Sequence, residues 1–206
     1  MAPARREVTF SAASSLGGSL AWPHLAEGPA TLDGTVARAA SRALVGGVGY
    51  TNLRDRSFGP LMIEQLQRRS WPVDVVIEDL SYGPIDVLFK LQAEPAPFRL
   101  GILVGAVARG RTPGSVERYV WPGETLAPDE LQDRIAEAVT GVVSLENLLH
   151  ILGHFGALPT RTIVVEVEPE AEERWGAELS EPVAAALATV EAVVLAELAA
   201  TPDDHE

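Results

Sequence analysis

The stretch from Ala43 to Pro60 reads ALVGGVGYTNLRDRSFGP: an apolar strand expected over Ala43–Tyr50, a glycine-rich turn, a charged loop through Asp55 and Arg56, then a helix opening near Phe58. A strand, tight turn and helix in that order is the opening unit of a parallel sheet. The chain on its C-terminal side continues the alternation. Phe58–Arg69 carries Leu61, Ile63 and Leu66 at near-helical spacing, Val73–Glu78 is β-branched, Ile85–Gln92 is a short amphipathic helix, and Leu100–Val107 is a buried strand. After Pro113-Gly114, Ser115–Trp121 alternates like a strand on a polar edge, helices are expected over Pro128–Val139 and Leu145–Phe155, and Ile163–Val167 is a further strand. The last helix starts at Ser180, read as its N-cap, with Pro182 in the first turn and Val183, Leu187, Val190 and Val194 on one face. The expected fold is α/β: a three-layer sandwich with a mostly parallel twisted sheet and helices on both faces. Residues 43–199 form that domain, residues 1–42 are an N-terminal extension, partly disordered or loosely packed, and residues 200–206 are an acidic tail.

Composition narrows the class. The chain has 206 residues, 47% of them apolar, enough for one α/β domain with a real core and short for two. It has no Cys, which excludes disulfides, thiolate nucleophiles and zinc-thiolate sites. A formal charge of −13 argues against a non-specific nucleic-acid partner, because phosphate neutralisation needs clustered Lys and Arg. No uninterrupted apolar run reaches the roughly 20 residues of a membrane span. The start, MAPARREVTF, lacks a continuous apolar segment behind its arginines, so it is a poor signal peptide and the expected location is cytoplasmic.

Three further stretches carry a resemblance. LSYGPIDVLF (80–89) is a glycine-containing turn between strand and helix, LGILVGAVARGRTPGSV (100–116) holds a buried strand, and GVVSLENLLHILGHFGALPTRTIVVEVEPE (141–170) holds a helix, a glycine-proline turn and a strand. Together with GVGYTNLRDRSFGP, their order resembles the [NiFe] hydrogenase maturation proteases, the endopeptidases that process the C-terminus of the hydrogenase large subunit. The resemblance covers residues 43 to 198 and implies a phosphorylase/hydrolase-like α/β fold. In the family the first motif holds an Asp-Asp or Asp-Glu pair whose second acid is a nickel ligand, the buried strand ends in a ligand Asp, and a ligand His leads the later helix. The matching positions here are Arg56, Gly105 and Gly141. The implied protein is a divergent member without the family's metal site.

A guanidinium cannot coordinate a cation and stays protonated at physiological pH. Arg56 is expected either to occupy the place of the metal's charge, paired with Asp55, Glu78 or Asp79, or to be an ordinary exposed loop residue. Gly105 and Gly141 either leave room in the cleft for a peptide or a partner's side chain, or have their space filled by Tyr50, which stands where the family has Asn. The candidate cleft is therefore Tyr50, Asn52, Asp55, Arg56, Glu78, Asp79, Gly105 and Gly141, with no catalytic residue, no metal ligand and no cofactor assigned; nickel enters only if the protease reading holds.

Other motifs say less. Gly46-Gly47-Val48-Gly49 lacks the third glycine of a dinucleotide fingerprint and does not open directly into a helix, so it reads as a tight turn. Glu146, His150 and His154 fall at i, i+4 and i+8 on one helix, a spacing known from metal sites, but Leu145, Leu148, Leu149 and Leu152 mark the core face and put the trio toward solvent. His24 and His205 lie in irregular segments, and no Gly-x-Ser-x-Gly motif is present. The leading expectation is a hydrogenase maturation or assembly protein that binds the large subunit or another maturation protein without proteolysis. The alternatives are an active nickel-recognising endopeptidase, a small-molecule-binding domain, and a structural α/β subunit. The oligomeric state stays open.

Overall fold

Strand β1 (Ala43–Val48) is buried along its whole length, as expected for an apolar strand covered on both faces. The structure is a computed structural model that describes residues 42–72, 74–94, 96–170 and 175–200. The N-terminal extension up to residue 41 and the acidic tail from residue 201, with His24 and His205, lie outside the described residues. After β1 come a single 3₁₀ turn at Arg54–Ser57, α1 (Phe58–Gln67), β2 (Val75–Asp79), α2 (Pro84–Gln92), β3 (Leu100–Ala106) and β4 (Val116–Val120). Then follow α3 (Pro128–Val139), α4 (Leu145–His154), β5 (Arg161–Val167) and α5 (Glu181–Ala199). The α/β class and the order of elements match the expectation, with shifts of one or two residues at most ends.

The five strands lie in the order β2-β1-β3-β5-β4. All neighbours are parallel except β4, which runs antiparallel on β5 with Val116 opposite Val167. The half-exposed pattern of Ser115–Trp121 is thus that of an edge strand. The alternation of side chains divides the core in two. On one face Val45, Ile102 and Val165 meet Phe58, Met62 and Leu66 of α1 and Val183, Val190 and Val194 of α5. On the other, Leu44, Leu103 and Val164 meet Val87 and Leu88 of α2 and Leu145, Leu148 and Leu152 of α4. Helix α3 packs outside α4 through Leu131, Ala138 and Ile151.

Helix α1 lies so close to β1 that backbone meets backbone. A Cβ on Gly59 would run into the Val48 carbonyl oxygen, and one on Gly47 into the Gly59 carbonyl. That approach brings the loop between β1 and α1 over the end of the sheet.

Helix α5 is 19 residues long with a mean hydropathy of 1.8, long and apolar enough by composition to cross a membrane. Here its valine face covers the sheet and its two interior glutamates are engaged by arginines: Glu191 by Arg69, Glu197 by Arg118 and Arg161. Ser180 does precede the helix, but its hydroxyl does not cap it; it donates to Asp55 instead. Pro182 holds the first turn by its fixed φ.

Candidate functional site

The crossover from β2 to β3 passes over β1, so the connections out of β1 and β3 depart to opposite sides of the sheet. A crevice opens where they part, at the carboxyl ends of the strands, the usual ligand position in open α/β sheets. A cavity of about 180 Å³ lies there, lined by the end of β1 (Val48, Gly49), Tyr50, Arg56, the end of β3 (Ala106 to Ala108) and the start of α4 (Val143 to Glu146).

The loop that delivers Arg56 is tightly held. Tyr50 N–H donates to the Arg56 carbonyl at 2.9 Å, Leu53 N–H to Ser57 Oγ at 2.9 Å, and Arg54 N–H to the Gly176 carbonyl at 2.9 Å. Asn52 and Arg54 both have left-handed backbone, φ 62° and 43°. Asn adopts that conformation readily, while Arg does so at a cost that the surrounding hydrogen bonds offset.

Asp55 is buried at 1% exposure and turned away from the cavity. Its Oδ1 accepts from Ser180 N–H at 2.7 Å, and its Oδ2 accepts from Ser180 Oγ–H and Glu170 N–H, both at 2.9 Å. The carboxylate therefore fastens the β1–α1 loop to the segment that leads from β5 to α5. It makes no ion pair with Arg56.

The remaining expected cleft residues do not converge. Glu78 is paired with Lys90 and accepts from Tyr82 Oη–H at 3.3 Å. Asp79 caps its own turn by accepting from Ser81 N–H at 2.9 Å. Asp79 and Asn52 line a different hollow of about 360 Å³ beside α1, with Leu61, Ile63 and Gln67. Neither Glu78 nor Asp79 pairs with Arg56. Gly141 ends α3 with φ 88°, is exposed, and stands outside the cavity; a Cβ there would meet open space. Gly105 leaves no space: the position of its Cβ lies 3.0 Å from the Val48 carbonyl and 3.3 Å from Leu145 Cδ2. Tyr50 lines the cavity and reaches across to α4, where its hydroxyl accepts from Val143 N–H at 2.8 Å.

The expected solvent-facing trio on α4 separates. His150 is 7% exposed, its ring edge-on to Trp121 at 5.1 Å. Burial first, then the positive Arg134, hold its pKa below the ordinary value against the acidic Glu124, Glu146 and Glu130. His154 is exposed and stacks edge-on with Phe155. The helix is more deeply embedded than its leucines alone indicated because α3 and Trp121 cover its flanks.

Beside the cavity lies an ionic network that the motif reading missed. Glu166 stands directly across from Gly105 in the β3–β5 register, on the same face of the sheet. It is 2% exposed. Its oxygens accept from Arg109 Nη2 at 2.8 Å, Arg111 Nη2 at 2.8 Å and Tyr119 Oη–H at 2.9 Å. Arg109 also pairs with Glu146 at 2.7 Å, and so bridges β5 to α4 along the rim of the cavity. Glu168 accepts from the N–H groups of Arg109 and Gly110 and from Arg111 Nε. Burial raises the Glu166 and Glu168 carboxyls, but hydrogen bonds from these arginines and backbone groups, with Tyr119 on Glu166, outweigh it and hold both below the usual range. Burial, and then the bond to Glu166, push the Tyr119 phenol up, so it remains a donor. A signal was present: two acids at i, i+2 in the otherwise apolar strand TIVVEVE, matched by two arginines at i, i+2 in RGR. Charges in a buried strand demand partners.

These side chains do not fit a nickel ion. The polar side chains of the lining residues are the guanidinium of Arg56, the Glu146 carboxylate already paired with Arg109, the Tyr50 phenol and the Ser144 hydroxyl. Among the described residues no three His, Asp or Glu side chains gather in metal-binding geometry.

Comparison with known proteins agrees with the fold and the order of motifs. Residues 60–197 match the family model of HycI, hydrogenase maturation protease. The chain belongs to the hydrogenase maturation protease family. Among solved structures it is similar to a hydrogenase 2 maturation peptidase from a Thaumarchaeota archaeon, at 26% identity and TM-score 0.54, over 77% of this chain and 98% of the other. It shares its fold with the hydrogenase maturating endopeptidase HybD of E. coli (24% identity, TM-score 0.57, 76% of this chain and 91% of that one). The fold is likewise that of a [NiFe] hydrogenase maturation protease HycI from Thermococcus kodakarensis (19% identity, TM-score 0.52, 79% and 97%). No curated protein matches.

Proposed function

We propose that this member of the hydrogenase maturation protease family acts in the cytoplasm by binding a hydrogenase-related protein, the large subunit or another maturation protein, without cutting it. The observation that carries the reading is the presence of Arg56 in the cavity at the β1/β3 switch point while the adjacent Asp55 is buried in a structural brace. A positive side chain repels a second cation from the place where the resemblance puts a metal, and a buried carboxylate that already accepts from three donors has little to offer one. The crevice itself persists, and its loop is fixed by hydrogen bonds on both sides. A preorganised crevice without a reactive centre suits recognition.

The test uses the purified full chain, metal-stripped, with a nickel-loaded precursor of a hydrogenase large subunit. The expected outcome is co-elution on size exclusion, an unchanged precursor mass, and no saturable heat on nickel titration. A precursor shortened at its C-terminus would establish the active endopeptidase instead. Absence of any complex, with the mass unchanged, would leave the small-molecule-binding and structural readings in place of this one.

A further inference from the structure

The cavity at the switch point is walled by hydrogen-bond donors. Arg56 lines it, and its guanidinium has no hydrogen-bond or ion-pair partner among the described residues. Tyr50 Oη accepts from Val143 N–H, which leaves the phenolic hydrogen free to donate. Leu145 and Glu146, whose first-turn N–H groups have no partner within α4, line the same space. The one carboxylate in the lining, Glu146, is neutralised by Arg109 at 2.7 Å, and the Ser144 hydroxyl there already accepts from Asn147 N–H. The geometry points to a carboxylate-binding site in this cavity, with Arg56 as the cationic anchor and Tyr50 as a second donor.

Size and charge choose the ligand. A volume of about 180 Å³ holds roughly six waters at ~30 Å³ each, room for a carboxylate and the first carbons behind it but not for an extended cofactor. A guanidinium fork matches a planar carboxylate through two parallel hydrogen bonds. One uncommitted cation balances a monoanion, and the nearby Glu146, Glu166 and Glu168 outnumber by one the arginines Arg109 and Arg111 that pair with them, which disfavours a dianion such as phosphate. The carboxylate is that of a protein partner, either an Asp or Glu side chain or a chain terminus. This rests on the reading that the cleft holds an arginine in place of a metal.

The experiment is an amide NMR titration of the full ¹⁵N-labelled chain with four small probes: N-acetyl-Ala-Ala with a free carboxylate, its amide, N-acetyl-Glu amide, and inorganic phosphate. The expected result is saturable shifts at Gly49, Ala108 and Glu146 with a carboxylate probe, none with the uncharged amide, and weaker effects with phosphate. Which carboxylate probe binds tighter separates a chain terminus from a side chain. Arg56→Gln is expected to weaken binding about tenfold by removing the charged, bidentate donor. Arg99→Gln, a half-buried arginine at the opposite end of β3 from the cavity, leaves it unchanged. Should Arg56→Gln fail to fold, added chloride serves with the native chain: the carboxylate affinity falls as salt rises. Absent or non-saturable shifts, equal affinity in Arg56→Gln, salt-independent binding, or tighter phosphate would each overturn the assignment. Shifts with the small carboxylates alongside no complex with the large subunit would fail the partner reading alone, whereas a complex without these shifts would fail the site alone.

Discussion

Asp55 Oδ1 accepts the backbone N–H of Ser180 at 2.7 Å across 125 residues of chain, and this bond ties the loop after the first strand to the start of the last helix. The same carboxylate takes the Ser180 hydroxyl and the Glu170 N–H. An acid in a motif that resembles a metal-binding sequence thus performs a structural task, and its removal affects folding more than any ligand.

Asp55→Ala strands two backbone donors and a hydroxyl in a buried place. The expected loss is about 3 kcal/mol, from the cost of leaving buried groups unpaired. Urea unfolding of the metal-stripped protein measures it. A change under about 0.5 kcal/mol, the range of an ordinary surface substitution, contradicts the brace.

Restoring an acid at the end of β3 does not restore a site. Gly105→Asp places a Cβ 3.0 Å from the Val48 carbonyl and 3.3 Å from Leu145, so α4 must move outward. The expected cost is about 1–3 kcal/mol of overpacking, with a buried carboxylate adding to it. Thermal unfolding shows it as a lower Tm. An unchanged Tm would mean that α4 yields freely.

The network around Glu166 predicts acid sensitivity. Glu166 and Glu168 have folded pKa values below the ordinary 4.5, so the folded state binds fewer protons than the unfolded one in this range. Their contribution is complete above about pH 4.5 and is lost as pH falls through the folded values. Glu166→Gln removes most of its own share. It leaves Arg109 and Arg111 with a neutral acceptor, a cost of about 1–2 kcal/mol near neutral pH once the partial exposure of both arginines is allowed for. Denaturant midpoints followed from pH 7 to acid should fall less steeply in the variant than in the native protein. Parallel curves would remove Glu166 as the cause.

His150 shifts stability in the same direction over a different window. Its folded pKa lies below the unfolded 6.5, so it remains neutral in the fold while the unfolded chain takes up its proton first. Stability is therefore full above pH 6.5 and declines as pH falls below it toward the folded value. NMR titration of the His150 ring should give a midpoint below 6.5, and His150→Phe, which fits the same edge-on contact with Trp121, should flatten the decline. A midpoint at or above 6.5 contradicts the burial.

The polar reading of α4 failed for a reason that shows how sequence patterns mislead. Periodicity identified Leu145, Leu148, Leu149 and Leu152 as the face on the sheet, and they are. It assumed that the opposite face meets water. Helix α3 and Trp121 cover part of that face, and both come from parts of the chain that carry no mark of where they will dock. The same limit applied to Asp55: its neighbour in sequence is Arg56, but its partners Glu170 and Ser180 are brought by the path from β5 to α5.

The sequence by itself determined the order of strands and helices, the buried parallel strands, the polar edge strand and the family. The elements follow from local alternation, turn residues and apolar runs, whose physical causes act within one element, whereas the family came from the resemblance of four motif stretches in order. The resemblance also implied that Arg56 stands where the family has a ligand. Only the tertiary structure decided where each charge is spent: Asp55 on a brace, Glu78 on Lys90, Glu166 and Glu146 on Arg109, with Arg56 left uncommitted among the described residues. Coulomb and hydrogen-bond energies depend on distances between distant segments and on burial, and neither is defined until the sheet has closed and the helices have docked.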